Sequence, residues 1–157
     1  MGHLDGIAVR PARRAAMVER QGAAINQLSG LEGDHAGKYP DRLVTILSAE
    51  AWADALAALP ETPYLHWTVR RANLLVSGVA LPRAKGGVVQ IGEVRLEVTG
   101  QTWPCKRMEE AQPGLLKALA MDWRGRLTCK VIDEGRISIG DAVDVLVSPS
   151  ETIRRLP

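Results

Sequence analysis

The chain has 157 residues and a mass of 17.0 kDa, with 46% hydrophobic and 24% charged residues. That profile fits one folded domain and is far from that of a disordered chain. Its net charge of +2 is too small for a protein built to neutralise a phosphate backbone, so no nucleic-acid partner is expected.

Residues 1–25 are interrupted by Asp5, Arg10, Pro11, Arg13, Arg14, Glu19 and Arg20, so they form no secretory h-region. Within them, Ala12 to Val18 reads as a short helix. No eighteen apolar residues run together anywhere, so no membrane partner is expected, and the expected location is cytoplasmic with reduced thiols. Leu43 to Leu47 is a β-rich apolar run, a strand buried on both faces. Ser48 then caps a helix whose stripe of Trp52, Leu56 and Leu59 stops before Pro60. Tyr64 to Val69 reads as a strand that alternates Tyr64, His66 and Thr68, with Trp52 and Tyr64 in the core. Val88 to Ile91 and Glu93 to Thr99 are two strands parted at Gly92. In the second, Val94, Leu96 and Val98 make a dry face. A second helix runs from Pro113 through Leu115, Leu116 and Leu119. Leu127 to Ile132 and Arg136 to Ile139 flank Asp133-Glu134-Gly135, a hairpin signal. Gly140-Asp141 turns the chain into Val143 to Val147. Short strands closed by glycine turns imply a barrel or a sandwich.

The candidate chemistry lies on the cysteines. Cys105 and Cys129 are 24 positions apart with no CxxC, which signals neither zinc nor a dithiol pair. Cys129 alternates with Leu127 and Val131 and packs as a small hydrophobe. Cys105 follows Pro104 in a loop and precedes Lys106 and Arg107, two cations that favour thiolate. His3, His35 and His66 lack metal-ligand spacing. Fifteen of the twenty basic residues are Arg, which reads as a composition effect, although a guanidinium fork suits a phosphate or carboxylate.

The longer motifs are more specific. Gly30-Leu31-Glu32-Gly33-Asp34-His35, then Arg42 to Glu50, resembles the opening signature of the MOSC domain, found at the C-terminus of molybdenum cofactor sulfurases. Arg70-Arg71-Ala72-Asn73 with Leu74 to Gly78 is similar to its central motif. Ile91-Gly92-Glu93, Val98-Thr99-Gly100, Pro104-Cys105-Lys106-Arg107-Met108 and Gly135 to Asp141 follow in the family's order. The resemblance implies a mainly β fold with a few short helices, closed into a β-barrel like the small domain of pyruvate kinase. It implies one MOSC domain over 1–157, with its core at about 5–147 and a loosely held tail at 148–157.

By the same resemblance the protein binds the molybdenum cofactor, molybdopterin-bound molybdenum. Cys105 inherits the role of molybdenum ligand or persulfide carrier. Arg71 and Asn73 match the pair that holds the cofactor's phosphate and pterin in related amidoxime-reducing enzymes. The chemistry agrees, because an Arg fork suits a phosphate and an amide both donates to and accepts from a pterin edge. Ser48, Arg107, Asp34 and His35 are further cofactor-binding candidates. Asp34 has the alternative of a plain Asx turn, and Ser48 opens a helix N-terminus suited to an anion. Trp103 either stacks on a pterin or caps the barrel, and Arg124 either faces the anion or is solvated.

The implied activity is a molybdenum-dependent oxidoreductase, reducing N-hydroxylated substrates, or a sulfur transferase. Thr102 stands where many relatives carry a second cysteine, which favours a single-ligand role for Cys105. The chain has no room for a pyridoxal-phosphate domain, so sulfur would come from a separate cysteine desulfurase and electrons from a separate donor protein. The alternatives are a non-redox persulfide carrier, a small β-barrel binding module without catalysis, and a Cys105/His35 thiol hydrolase.

Overall fold

The computed structural model describes residues 2–35, 40–61, 63–102, 104, 106–120 and 126–149. Trp103, Cys105, Arg124 and the tail from residue 150 lie outside the described residues. In chain order the strands are β1 (Gly2–Val9), β2 (Val18–Arg20), β3 (Gly22–Asn26), β4 (Gly30–Leu31) and β5 (Val44–Ser48). Helix α1 (Ala49–Ala57) leads to β6 (Leu74–Ser77), β7 (Val88–Ile91) and β8 (Val94–Thr102). Helices α2 (Lys106–Ala111) and α3 (Leu115–Leu119) precede β9 (Arg126–Asp133), β10 (Gly135–Ser138) and β11 (Ala142–Val147).

Seven strands in the order β11-β7-β8-β9-β5-β6-β1 form one sheet, and β1 pairs back onto β11 to close a mixed barrel. The seam is short, Gly2 opposite Val143 and His3 opposite Ala142. Only β5 and β6 are parallel, and α1 lies in the crossover that a parallel pair requires. Strand β2 extends the sheet beyond β1, and β3, β4 and β10 make a second small sheet.

Alternation decides what fills the barrel. Val44 and Ile46 of β5, Leu74 and Val76 of β6, Leu96 and Val98 of β8 and Cys129 of β9 share one buried cluster. A second cluster covers the wall from outside, where Leu47 and Ala8 meet Trp52, Leu56 and Leu59 of the α1 region and Leu115 and Leu119 of α3. Helix α1 starts as its cap chemistry requires, with Ser48 Oγ accepting the Ala51 N–H at 3.1 Å.

The barrel, the strand at 43–47, the two strands parted at Gly92, the first helix and the inward-facing Cys129 match the sequence expectations. Four details differ. Residues 12–18 form no helix, because the chain turns after Pro11, with Arg14 at φ 63°, and enters β2 at Val18. Tyr64 to Val69 is not a strand: His66 caps a 3-10 helix over Trp67–Arg70 through its ring nitrogen, and Tyr64 is 83% exposed. Asp133-Glu134-Gly135 joins no hairpin, since β10 pairs with β3 while β9 stays in the barrel. The second helix begins at Leu115 rather than Pro113, with Gly114 as its N-cap, and α2 is an additional helix before it. Tertiary pairing overrode the hairpin, whereas turn and cap features local to the chain set the other three.

Candidate functional site

The strands that build the barrel also build a cavity of about 200 Å³ on the outer face of their wall, near the end of the β8–β9 pair where Thr102 lies opposite Arg126. Its wall begins with a threonine pair. Thr45 of β5 lies opposite Thr128 of β9, and both face away from Val44, Ile46, Leu127 and Cys129 in the lumen. Thr102, the last residue of β8, adds a third hydroxyl. The charged lining is Arg10, Arg42, Arg71 and Arg126 against one carboxylate, Asp34, with His35 beside it. Met17 and Leu43 are the apolar members. Four guanidinium groups around a space this small form a donor-rich site for an anion, while the Thr45 hydroxyl proton is already given to Asn73 Oδ1.

Arg71 is held in an uncommon conformation. It ends the 3-10 helix in the left-handed region, φ 63° and ψ 33°, which costs a non-glycine residue about 1–2 kcal/mol. Its N–H donates to the Thr68 carbonyl at 2.9 Å, and its own carbonyl accepts Arg126 Nη1 at 2.6 Å. Its guanidinium reaches the Ala15 carbonyl in the β1–β2 connection. Burial, then the neighbouring Arg10 and Arg107, pull its pKa below the usual guanidinium value, with Asp34 opposing them. A bound anion would relieve that cationic crowding.

Asn73 is buried and nearly used up by the fold. Its Oδ1 accepts the Thr45 N–H at 3.0 Å and the Thr45 hydroxyl at 3.1 Å, and its Nδ2 donates to the Ala8 carbonyl at 3.2 Å. One amide N–H is left. The side chain therefore fastens β1 to β5 just behind the cavity.

Gly33, at φ +82°, turns the chain after β4 toward Asp34 and His35. Asp34 Oδ1 accepts the Arg10 N–H at 2.8 Å, and the Asx-turn alternative, which would use the N–H of residue 36, lies outside the described residues. The His35 N–H donates to the Arg10 carbonyl at 2.6 Å, and Arg10 Nη2 donates to the His35 carbonyl at 2.8 Å. This clasp joins the end of β1 to the loop after β4.

Of the residues singled out in the sequence, Arg71, Asn73, Asp34 and His35 meet in this cavity. Ser48 does not line it, and its hydroxyl caps α1. Arg107 is exposed on α2, outside the lining, yet its charge acts on Arg71. Cys105 lies outside the described residues, between cavity-lining Thr102 and the start of α2 in the chain. Sequence reasoning missed Arg10, Arg42, Arg126, Thr45 and Thr128. Thr45 carried a readable signal, a polar residue between Val44 and Ile46 in an apolar run, whereas Thr128 alternates with Arg126 and Lys130 on β9 and carried none. The arginines carried none, because they come from three distant segments.

Among the described residues, no group of three His, Cys, Asp or Glu side chains is placed to hold a metal ion. No described helix is long and apolar enough to cross a membrane.

The MOSC domain family model matches residues 32–144. Among solved structures, the YuaD protein from Bacillus subtilis is similar at TM-score 0.74 and 20% identity, over 92% of this chain and 96% of that one. YiiM from Escherichia coli is similar at TM-score 0.69 and 16% identity, over 95% and 72%. YiiM from Geobacillus stearothermophilus reaches TM-score 0.68 at 14% identity, over 94% and 76%. At these identities the likeness is one of fold. No curated protein matches the chain.

Proposed function

This chain belongs to the MOSC domain family, and from that premise we propose that its arginine-lined cavity binds the phosphate-bearing end of the molybdenum cofactor. The observation that supports this most directly is the lining itself, in which Arg10, Arg42, Arg71 and Arg126 face one carboxylate. The fit is chemical: guanidinium forks are donors for phosphate oxygens. A cavity of about 200 Å³ is smaller than the roughly 300–1,000 Å³ of typical ligand pockets, so it suits the anionic end of a larger molecule. When bound, the cofactor would supply a two-electron redox centre at molybdenum.

The chain's own residues have separable roles in this reading. Arg71 holds the anion, with Arg10 and Arg126 sharing its charge. Asn73 keeps Thr45 in place and offers its remaining N–H. Asp34 and His35 fix Arg10 through their clasp. Cys105 supplies the soft thiolate that ligates molybdenum or carries sulfur, and Lys106 and Arg107 beside it in sequence favour that ionised form. The proposed activity is reduction of an N-hydroxylated base, R–NHOH + 2 H⁺ + 2 e⁻ giving R–NH₂ + H₂O, with electrons from a separate donor protein.

The test is the molybdenum and pterin content of protein purified from a molybdenum-replete host. Stoichiometric pterin is expected. Arg71→Met should reduce the retained pterin about tenfold or more, and Cys105→Ala should reduce bound molybdenum. Absence of both metal and pterin, even after reconstitution, would refute the proposal. A sulfur adduct on Cys105 in intact mass, without pterin, would replace it with the carrier role.

A further inference from the structure

The barrel is electrically polarised along its strands. The β8–β9 pair is registered from Arg95 opposite Asp133 at one end to Thr102 opposite Arg126 at the other. Seven residue steps at 3.3 Å set these ends about 23 Å apart. At the first end the exposed Arg95 is matched by an acid, lying 3.5 Å from Asp133. Glu93 and Glu134 add further negative charge there, each accepting a backbone N–H.

The cavity end is the reverse. Beyond the arginines that line the cavity, Arg13 and Arg14 lie exposed in the connection whose Ala15 carbonyl receives Arg71. Lys106 and Arg107 lie exposed at the start of α2, with Arg107 close enough to act on Arg71. None of these four forms an ion pair among the described residues. The carboxylates near this end, Asp34, Glu19, Asp41, Glu109 and Glu110, keep their charge, and these five are outnumbered by the four cavity arginines and the four exposed cations.

One small anion in the cavity needs only the cavity arginines. The exposed cations outside it exceed that need, and they share one face in a chain whose total charge is only +2. We infer that this cationic rim is the docking surface for a partner protein whose contact face is rich in carboxylates. The opposed acidic end orients the encounter, because a dipolar molecule turns its positive end toward an acidic partner over about one Debye length. Nucleic acid is the poorer fit, since a total charge of +2 leaves too little cationic surface to track a phosphate backbone. The surface is independent of what the cavity holds.

The test uses a polyglutamate peptide as the acidic probe and a single-stranded oligonucleotide of equal charge as its rival. Fluorescence anisotropy is read at near-physiological salt, and amide shifts map the contact on the full chain. Polyglutamate should bind more tightly than the oligonucleotide and shift amides in 10–17 and 106–111. The triple substitution Arg13→Ser, Arg14→Asn, Lys106→Gln should weaken it about tenfold. The control pair Lys85→Gln, Arg95→Gln, neither in the rim segments, should leave it within twofold. Equal weakening by the control pair, shifts elsewhere on the surface, or tighter oligonucleotide binding would each overturn the inference. Self-association of the unliganded chain, abolished by the same triple substitution, would overturn it in favour of a second copy as the occupant.

Discussion

Gln101 is the most anomalous side chain in the described protein. It is 1% exposed, and neither its amide oxygen nor its nitrogen has a hydrogen-bond partner. It lies opposite Leu127 on β8, facing the lumen rather than the threonine-lined cavity. Burying an amide without partners costs about 1–3 kcal/mol. Gln101→Met keeps the volume and should raise the unfolding free energy by about 1–2 kcal/mol in urea denaturation. A fall in stability would mean that a bound group satisfies the amide.

Cys129 makes the opposite case, a polarisable group that burial keeps neutral. It is fully buried, and desolvation raises its thiol pKa far above the ordinary value of 9.0. The unfolded chain therefore loses this proton above about pH 9 while the folded chain keeps it. Stability is then complete below that pH and falls as pH rises, by up to about 1.4 kcal/mol per unit. Cys129→Val, matched in size, should flatten that alkaline slope relative to the parent when midpoints are compared from pH 8 to 10.5.

At the scale of elements, the contact between β1 and the 3-10 helix over 67–70 governs the site's geometry. Gly6 lies where the β1–β6 register shifts, between Leu4 and Gly6. A Cβ there would stand 2.6 Å from the Trp67 ring. Trp67 is buried four residues before Arg71, so the space of a missing methyl sets how closely the arginine's helix approaches the sheet. Gly6→Ala should cost about 1–3 kcal/mol by overpacking, read as a lowered melting temperature. Adding Trp67→Leu should make the two losses markedly less than additive. Full additivity would mean that the two residues do not share this contact.

The same scale shows where pattern reading works. A five-residue apolar run bounded by a cap, as at 44–48, is unambiguous because one strand and one helix start fit it. Tyr64 to Val69 is enriched in aromatic and β-branched residues, yet it follows Pro63 and carries His66, whose ring caps a short helix as an aspartate would. Propensity is a weak vote over six residues. The turn at 133–135 was legible as a turn. Its partners were not, because Gly135 to Ser138 finds its edge on β3, more than a hundred residues earlier in the chain.

For the whole molecule, closure of the barrel and polarity of its ends go together. Closing the sheet at the β1–β11 seam brings the N-terminal strand beside the last one, and the β1–β2 connection then hangs over the cavity end. Arg10 and the Ala15 carbonyl thereby reach Arg71 from 61 and 56 positions away. The charge of this face is invisible in a total of +2, because that total sums acids and bases over the whole chain.

The sequence by itself determined the fold class and the family, through strand periodicity, helix caps and an ordered set of motifs that all persist locally. It also pointed to Arg71, Asn73, Asp34 and His35, because residues within one short motif stay close in any fold. Tertiary structure alone decided that Ser48 serves a helix, that Asn73 is mostly spent fastening two strands, and that Arg10, Arg42 and Arg126 join the cavity. The reason is distance along the chain. A cap or an alternation is fixed within a few residues, whereas a cluster of like charges forms only where cooperative packing pays its repulsion. The register that achieves this spans the whole barrel.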